Sequence, residues 1–143
     1  MTDKQDKQFQ KTSLLDKVSR PEDLQGLSPT ELNELAGVIR EFITKSVSQT
    51  GGHLASNLGV VELTIAMHRA FDFRRDRLLW DVGHQCYAHK ILTGRKAYFS
   101  RLRQEGGISG FPNPAESPTN VFTVGHAGTS IATAVGMALG AAH

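Results

Sequence analysis

Three of the six histidines in this 143-residue chain directly follow glycine: Gly51-Gly52-His53, Gly83-His84 and Gly125-His126. An imidazole gains or loses its charge near neutral pH, so it can donate, accept or carry a proton. Glycine before it lets the backbone bend sharply or come close to a ligand. Each of the last two pairs sits behind a short apolar run, residues 78–82 and 121–124, and ahead of a helix-like segment. In an open α/β sheet the ligand lies beyond the carboxyl ends of the strands. The free N–H groups of a helix start there favour an anion such as pyrophosphate. Taken singly, a Gly-His after a strand also reads as a turn with a satisfied histidine. Three in one short chain form a constellation.

The other candidate ligands and nucleophiles read more plainly. His68 lies on a helix face and is expected at the core or its rim. His89 is expected to hydrogen-bond locally, and His143 is terminal. Cys86, the single cysteine, reads as a small buried hydrophobe, and one cysteine forms neither an internal disulfide nor an all-cysteine zinc site. A zinc site from His84, His89 and His126 has suitable ligand types. The spacing of His84 and His89, however, puts them about 140° apart on a helix.

The elements that must position these residues follow from the pattern. Ser28 as N-cap, Pro29 at the first helical position and Glu31 three residues after the cap announce a helix over 29–47. Leu32, Leu35, Ile39, Phe42, Ile43 and Val47 recur on one face, and Gly51-Gly52 ends it. Residues 51–57 read as a loop. Residues 60–70 read as a helix apolar on most faces, hence buried. Residues 78–82 and 121–124 suit buried parallel strands. Short helices are expected over 85–92 and 96–103, separated by Gly94, then a Gly- and Pro-rich loop over 106–120 and a last helix over 131–142. Gly136 and Gly140 there read as a mark of close helix packing. Together the elements read as α/β with a parallel sheet. Two strands cannot cover their own edges, so the chain is expected to be the opening part of a larger domain, with apolar faces left uncovered.

Residues 1–12 offer nothing to bury and read as a disordered tail, leaving 13–143 as one unit. The charge, 16 Lys+Arg against 14 Asp+Glu, is +2, too near neutral to suggest nucleic acid, and there is no basic arm. The run 131–142 is too short for a membrane span, and the acidic, polar start suits neither a signal nor a transit peptide. A reducing cytoplasmic setting is the simplest reading of the cysteine usage.

Several longer motifs then carry a specific resemblance. SVSQTGGHLASNLGVVELTIAMH over 46–68, WDVGHQ over 80–85, HKILTGR over 89–95, RQEGG over 103–107 and GHAGTS over 125–130 occur in order and with matching gaps. They closely resemble the 1-deoxy-D-xylulose-5-phosphate synthases across roughly residues 24–142, and more loosely the transketolases. The resemblance implies the thiamine-diphosphate-binding fold, with this chain as the N-terminal part of its diphosphate-binding domain. It implies an enzyme, homodimeric when complete, that joins pyruvate to D-glyceraldehyde 3-phosphate with loss of CO2, feeding isoprenoid, thiamine and pyridoxal synthesis. It further implies that His53 sits over the reactive thiazolium and handles protons or substrate. His84 would contact the diphosphate, while Gly125, His126 and Ala127 would line the cofactor. Many relatives carry Ser-Ser where this chain has Ala127-Gly128, so contacts there fall largely to backbone. The family's Gly-Asp-Gly motif and following Asn, which hold Mg2+, are expected beyond residue 143, as is the cofactor-activating glutamate. The chain alone is therefore expected to be inactive. Another transketolase-like enzyme and a non-catalytic remnant are the competing readings, and GGHLASNLG over 51–59 favours the synthase over the former.

Overall fold

The computed structural model describes residues 13–142, so the expected tail over 1–12 lies outside the described residues. Two short 3-10 turns, Leu14–Asp16 and Pro21–Gly26, lead into the helix α1, Pro29–Thr50. The Ser28–Glu31 capping box forms as expected: the Glu31 N–H donates to Ser28 Oγ, and the Ser28 N–H donates to the Glu31 carboxylate at 2.8 Å. α1 runs three residues past the expected end. Nothing in 48–50 stops a helix, and the Thr50 hydroxyl donates to the Ser46 carbonyl at 3.0 Å. It stops where Gly51 takes a φ of +73° and its N–H closes onto the Val47 carbonyl at 2.9 Å.

α1 buries Leu35, Ala36, Ile39, Ile43 and Ser46. Against it pack the first N-terminal turn, the short helix α2 (Ala55–Leu58), α3 (Val61–Ala70) and α4 (Tyr87–Lys90), while the second turn packs on α3. α4 continues into a wide turn, Ile91–Arg95, where Gly94 has a φ of +87°, and then into the 3-10 turn Lys96–Arg101. The apolar core runs from Leu14 to Ile108 around Tyr87, Phe99 and Leu102. α3 departs from expectation. It buries Val61, Thr64, Ile65 and His68 but leaves Leu63 59% exposed, so it is one-sided rather than buried all round.

His68 and His89 meet inside the core, with Nε2 of His68 3.0 Å from Nδ1 of His89. His89 Nε2 is 3.1 Å from Asn120 Oδ1, so its partners are 21 and 31 residues away rather than local. The Lys90 ammonium, fully buried, pairs with Glu116, whose other oxygen accepts the Ser109 N–H at 2.7 Å. Those bonds pin the 106–120 loop to α4.

Among the described residues there is no strand, which corrects the parallel sheet. Residues from 78–80 and 120–124 wall a common hollow with Pro112, but no backbone hydrogen bond joins the two segments among the described residues. A lone parallel pair has slanted, weaker bonds and no neighbouring strand to hold it flat, so apolar patterning alone does not make a ladder. The described fold is helical. The last helix, α5 (Ser130–Ala141), buries no residue. Gly136 and Gly140 face open space instead of a packed neighbour, correcting the close-packing expectation. No described helix is long and apolar enough to cross a membrane.

Candidate functional site

His53 lies in the α1–α2 loop and His84 in the turn before α4, yet their rings meet edge to face with centroids 5.3 Å apart. Asn57, fully buried on α2, brings them together. Its Nδ2 donates to the His53 carbonyl at 2.6 Å and the His84 carbonyl at 2.8 Å, while its Oδ1 accepts the Tyr87 N–H at 2.8 Å. One amide thus ties the loop, the turn and the start of α4, using both donors and its acceptor. The Tyr87 hydroxyl braces the loop by accepting the His53 N–H at 3.4 Å. Phe111, carried by the loop that Glu116 pins, packs edge-on to His53 at 5.5 Å.

Nδ1 of both His53 and His84 is buried without a hydrogen-bond partner among the described residues. Buried polar atoms are normally satisfied, so two orphaned nitrogens on adjacent imidazoles mark a place where a ligand or water belongs. Burial first, then the nearby Arg103 guanidinium and the neighbouring His84 ring, push the His53 pKa below its usual value. His53 is therefore held neutral at pH 7, able to accept a proton or to donate one from the opposite nitrogen.

The glycines divide into two kinds. A Cβ on Gly83, whose φ is +84°, would meet Pro112 Cδ at 2.4 Å and Val124 Cγ2 at 2.7 Å. A Cβ on Gly52, at φ +144°, would meet the Tyr87 hydroxyl at 2.8 Å. Packing therefore demands glycine at both, not the approach of a ligand. Gly125 and Gly128 have nothing near and leave one side of the second turn open.

That second turn is differently placed. Gly125, His126 and Ala127 are exposed, and no ring or hydrogen-bond contact joins them to the His53–His84 pair among the described residues. The α5 start is not free for an outside anion as expected. The Gly128 N–H donates to Asp81 Oδ1 at 2.9 Å, and the Ser130 hydroxyl donates to Oδ2 at 2.7 Å. His84 and His89 face different partners, so the zinc trio is not assembled.

Asn57, Asp81, Tyr87 and Phe111 were not among the expected site residues. Asn57 had a weak signal, a polar residue four after His53 with no helix cap to serve. Asp81 fell inside the expected strand 78–82 and gave no signal of its own.

The model of the 1-deoxy-D-xylulose-5-phosphate synthase family matches residues 15–143. The chain is 58% identical over 130 residues to the 1-deoxy-D-xylulose-5-phosphate synthase of Dechloromonas aromatica (strain RCB), covering 91% of this chain and 21% of that protein. It is 59% identical over 126 residues to the synthase of Desulforudis audaxviator (strain MP104C), covering 88% and 20%. It is 58% identical over 126 residues to that of Carboxydothermus hydrogenoformans (strain ATCC BAA-161 / DSM 6008 / Z-2901), with the same coverage. The chain thus spans about a fifth of the length of these relatives, and every segment that builds the His53–His84 pair lies inside the matched residues. By that match, the chain belongs to the 1-deoxy-D-xylulose-5-phosphate synthase family.

Proposed function

We propose that these residues form part of the cofactor-facing wall of a thiamine-diphosphate enzyme. It would join pyruvate to D-glyceraldehyde 3-phosphate, release CO2 and give 1-deoxy-D-xylulose 5-phosphate. The supporting observation is the His53–His84 pair, two adjacent imidazoles whose buried Nδ1 atoms lack partners. Family membership supplies the choice of cofactor and substrates. When bound, thiamine diphosphate supplies the carbanion chemistry that protein side chains lack. His84 would hold its diphosphate. The N–H groups of Gly125, His126 and Ala127, which donate to no protein atom among the described residues, would line it. His53, kept neutral, would accept and return protons at its free nitrogen. Mg2+ ligands would come from residues outside this chain. In the complete domain the segments 78–82 and 121–124 would pair into a parallel sheet. We place the enzyme in the cytoplasm as a homodimer.

The test uses the complete enzyme that contains these residues. His84→Ala is expected to weaken thiamine-diphosphate binding roughly ten- to a hundredfold, the loss of one hydrogen bond to a charged group. His53→Ala should lower kcat more than it weakens cofactor binding, and His53→Asn should recover little, since an amide restores a hydrogen bond but carries no proton. Unchanged cofactor affinity in His84→Ala, or near-normal kcat in His53→Asn, would remove the assigned roles.

A further inference from the structure

Every hydrogen bond between residues 121–142 and the rest of the described chain ends on one side chain, the Asp81 carboxylate. Oδ1 and Oδ2 accept the Gly128 N–H at 2.9 and 3.1 Å. Oδ2 also accepts the Ser130 hydroxyl at 2.7 Å and the Ser130 N–H at 3.4 Å. α5 has no side-chain cap of its own, because the Thr129 hydroxyl donates back to the His126 carbonyl at 3.2 Å. A carboxylate from almost fifty residues away thus takes one orphan donor of the first turn, the Ser130 N–H, with the Gly128 N–H just ahead of the helix, and complements the positive end of the helix.

The backbone around Asp81 is built to aim it. The Gly83 N–H donates to the Asp81 carbonyl at 2.7 Å, closing a three-residue turn about Val82, whose φ is +62°. Positive φ is strained for a β-branched residue, and such strain persists only where the surroundings enforce it. Through this turn the carboxylate goes to α5 while the following His84 goes to His53.

We infer that Asp81 is a positioning residue: it fastens the second glycine-histidine turn beside the first, so that both can face one ligand. This rests on the cofactor reading given above. The alternative is a placeholder, a carboxylate occupying the seat of the diphosphate until the cofactor displaces it. The distribution of donors favours the clamp. Asp81 takes Gly128 and Ser130, beyond the turn, and leaves the N–H groups of Gly125, His126 and Ala127 uncommitted. The Ser130 hydroxyl, a donor no diphosphate reading calls for, is committed to it at the shortest distance of the set.

Two measurements test the clamp. In the 143-residue chain, Asp81→Asn should cut amide-exchange protection at Gly128 and Ser130 about tenfold, the loss of about one charge-assisted hydrogen bond, with Ile43 and Leu92 in the core unchanged. Ser130→Ala should give a smaller loss at the same amides, and adding it to Asp81→Asn should do little more, because both remove one interaction. Unchanged protection at Gly128 and Ser130, equal losses across the core, or additive effects of the two substitutions each overturn the inference. In the complete enzyme, Asp81→Asn should weaken binding of thiamine diphosphate, added with Mg2+, by about tenfold. Unchanged binding overturns the clamp, and tighter binding overturns it in favour of the placeholder. A wild-type enzyme with no affinity for thiamine diphosphate would instead overturn the functional reading, and exchange at Gly128 and Ser130 would then judge the clamp without it.

Discussion

Acid should unfold this chain through its core histidines. Asn120 Nδ2 donates to the Asn113 carbonyl at 3.0 Å, which leaves Oδ1 to accept from His89 Nε2–H. His89 Nδ1 is then the acceptor for His68 Nε2–H, and neither ring needs a second proton. Burial is the largest cause holding His68 down to about 4 and His89 to about 3, from an ordinary 6.5. The charge of Arg95 adds to both, and His68 and Lys90 add to His89. Below 6.5 the unfolded chain binds protons that the folded chain refuses. The stabilisation is therefore complete above that pH and is lost as pH falls towards 4 and 3. Between about pH 7 and about pH 4.5 each imidazole should cost on the order of 2–3 kcal/mol, several kcal/mol for the pair. That rivals the whole stability of a small domain. Hydrogen bonds hold the Asp23, Glu31, Asp72 and Asp81 carboxyls below their usual range, Asp72 at about 2, so their loss of charge is shifted to lower pH. His53, also held down, adds in the same direction. Trp80, whose ring lies 5.9 Å from His89, is the fluorescent reporter for urea unfolding at stepped pH. Stability that stays level across the window, or an equal pH slope in folded His68→Gln, would refute the reasoning.

Two other outcomes follow from burial. Asn57→Ala leaves the His53 and His84 carbonyls and the Tyr87 N–H without their partner, so it should cost roughly 3–5 kcal/mol, read as a lower urea midpoint; a loss below about 1 kcal/mol would mean water replaces the amide. Burial pushes the Cys86 thiol up to about 12, so the native chain should resist thiol reagents at neutral pH and react only as it unfolds; prompt stoichiometric labelling of the folded chain would contradict that.

What the sequence made legible was local. The α1 start was readable because Ser28, Pro29 and Glu31 lie within four residues and satisfy one another there. Gly94 was readable as a break because only its own φ is involved. The sheet was not legible in the same way because a ladder is a property of two segments: among the described residues, 78–82 and 121–124 have the composition of strands but no pairing. α2 went unseen because four residues carry no cap and no periodicity. The glycine-histidine repeats singled out His53 and His84 one at a time, but not as neighbours of each other. That meeting depends on Asn57 reaching 27 residues to the His84 carbonyl. His89 misled for the same reason, its partners lying on α3 and in the Pro-rich loop.

The single-carboxylate tether of residues 121–142 also bears on how the chain is made. Its apolar core closes between Leu14 and Ile108. A ribosome adding about 5–20 residues per second needs on the order of seconds to supply the next 34. Helical elements with mostly short-range contacts assemble far faster, in micro- to milliseconds. The Asn57 amide can therefore join His53 to His84 while α5 is still unsynthesised. Glu116 then arrives as a late latch on Lys90 and Arg95. The second glycine-histidine turn docks later than the first, onto a carboxylate already aimed by the turn about Val82.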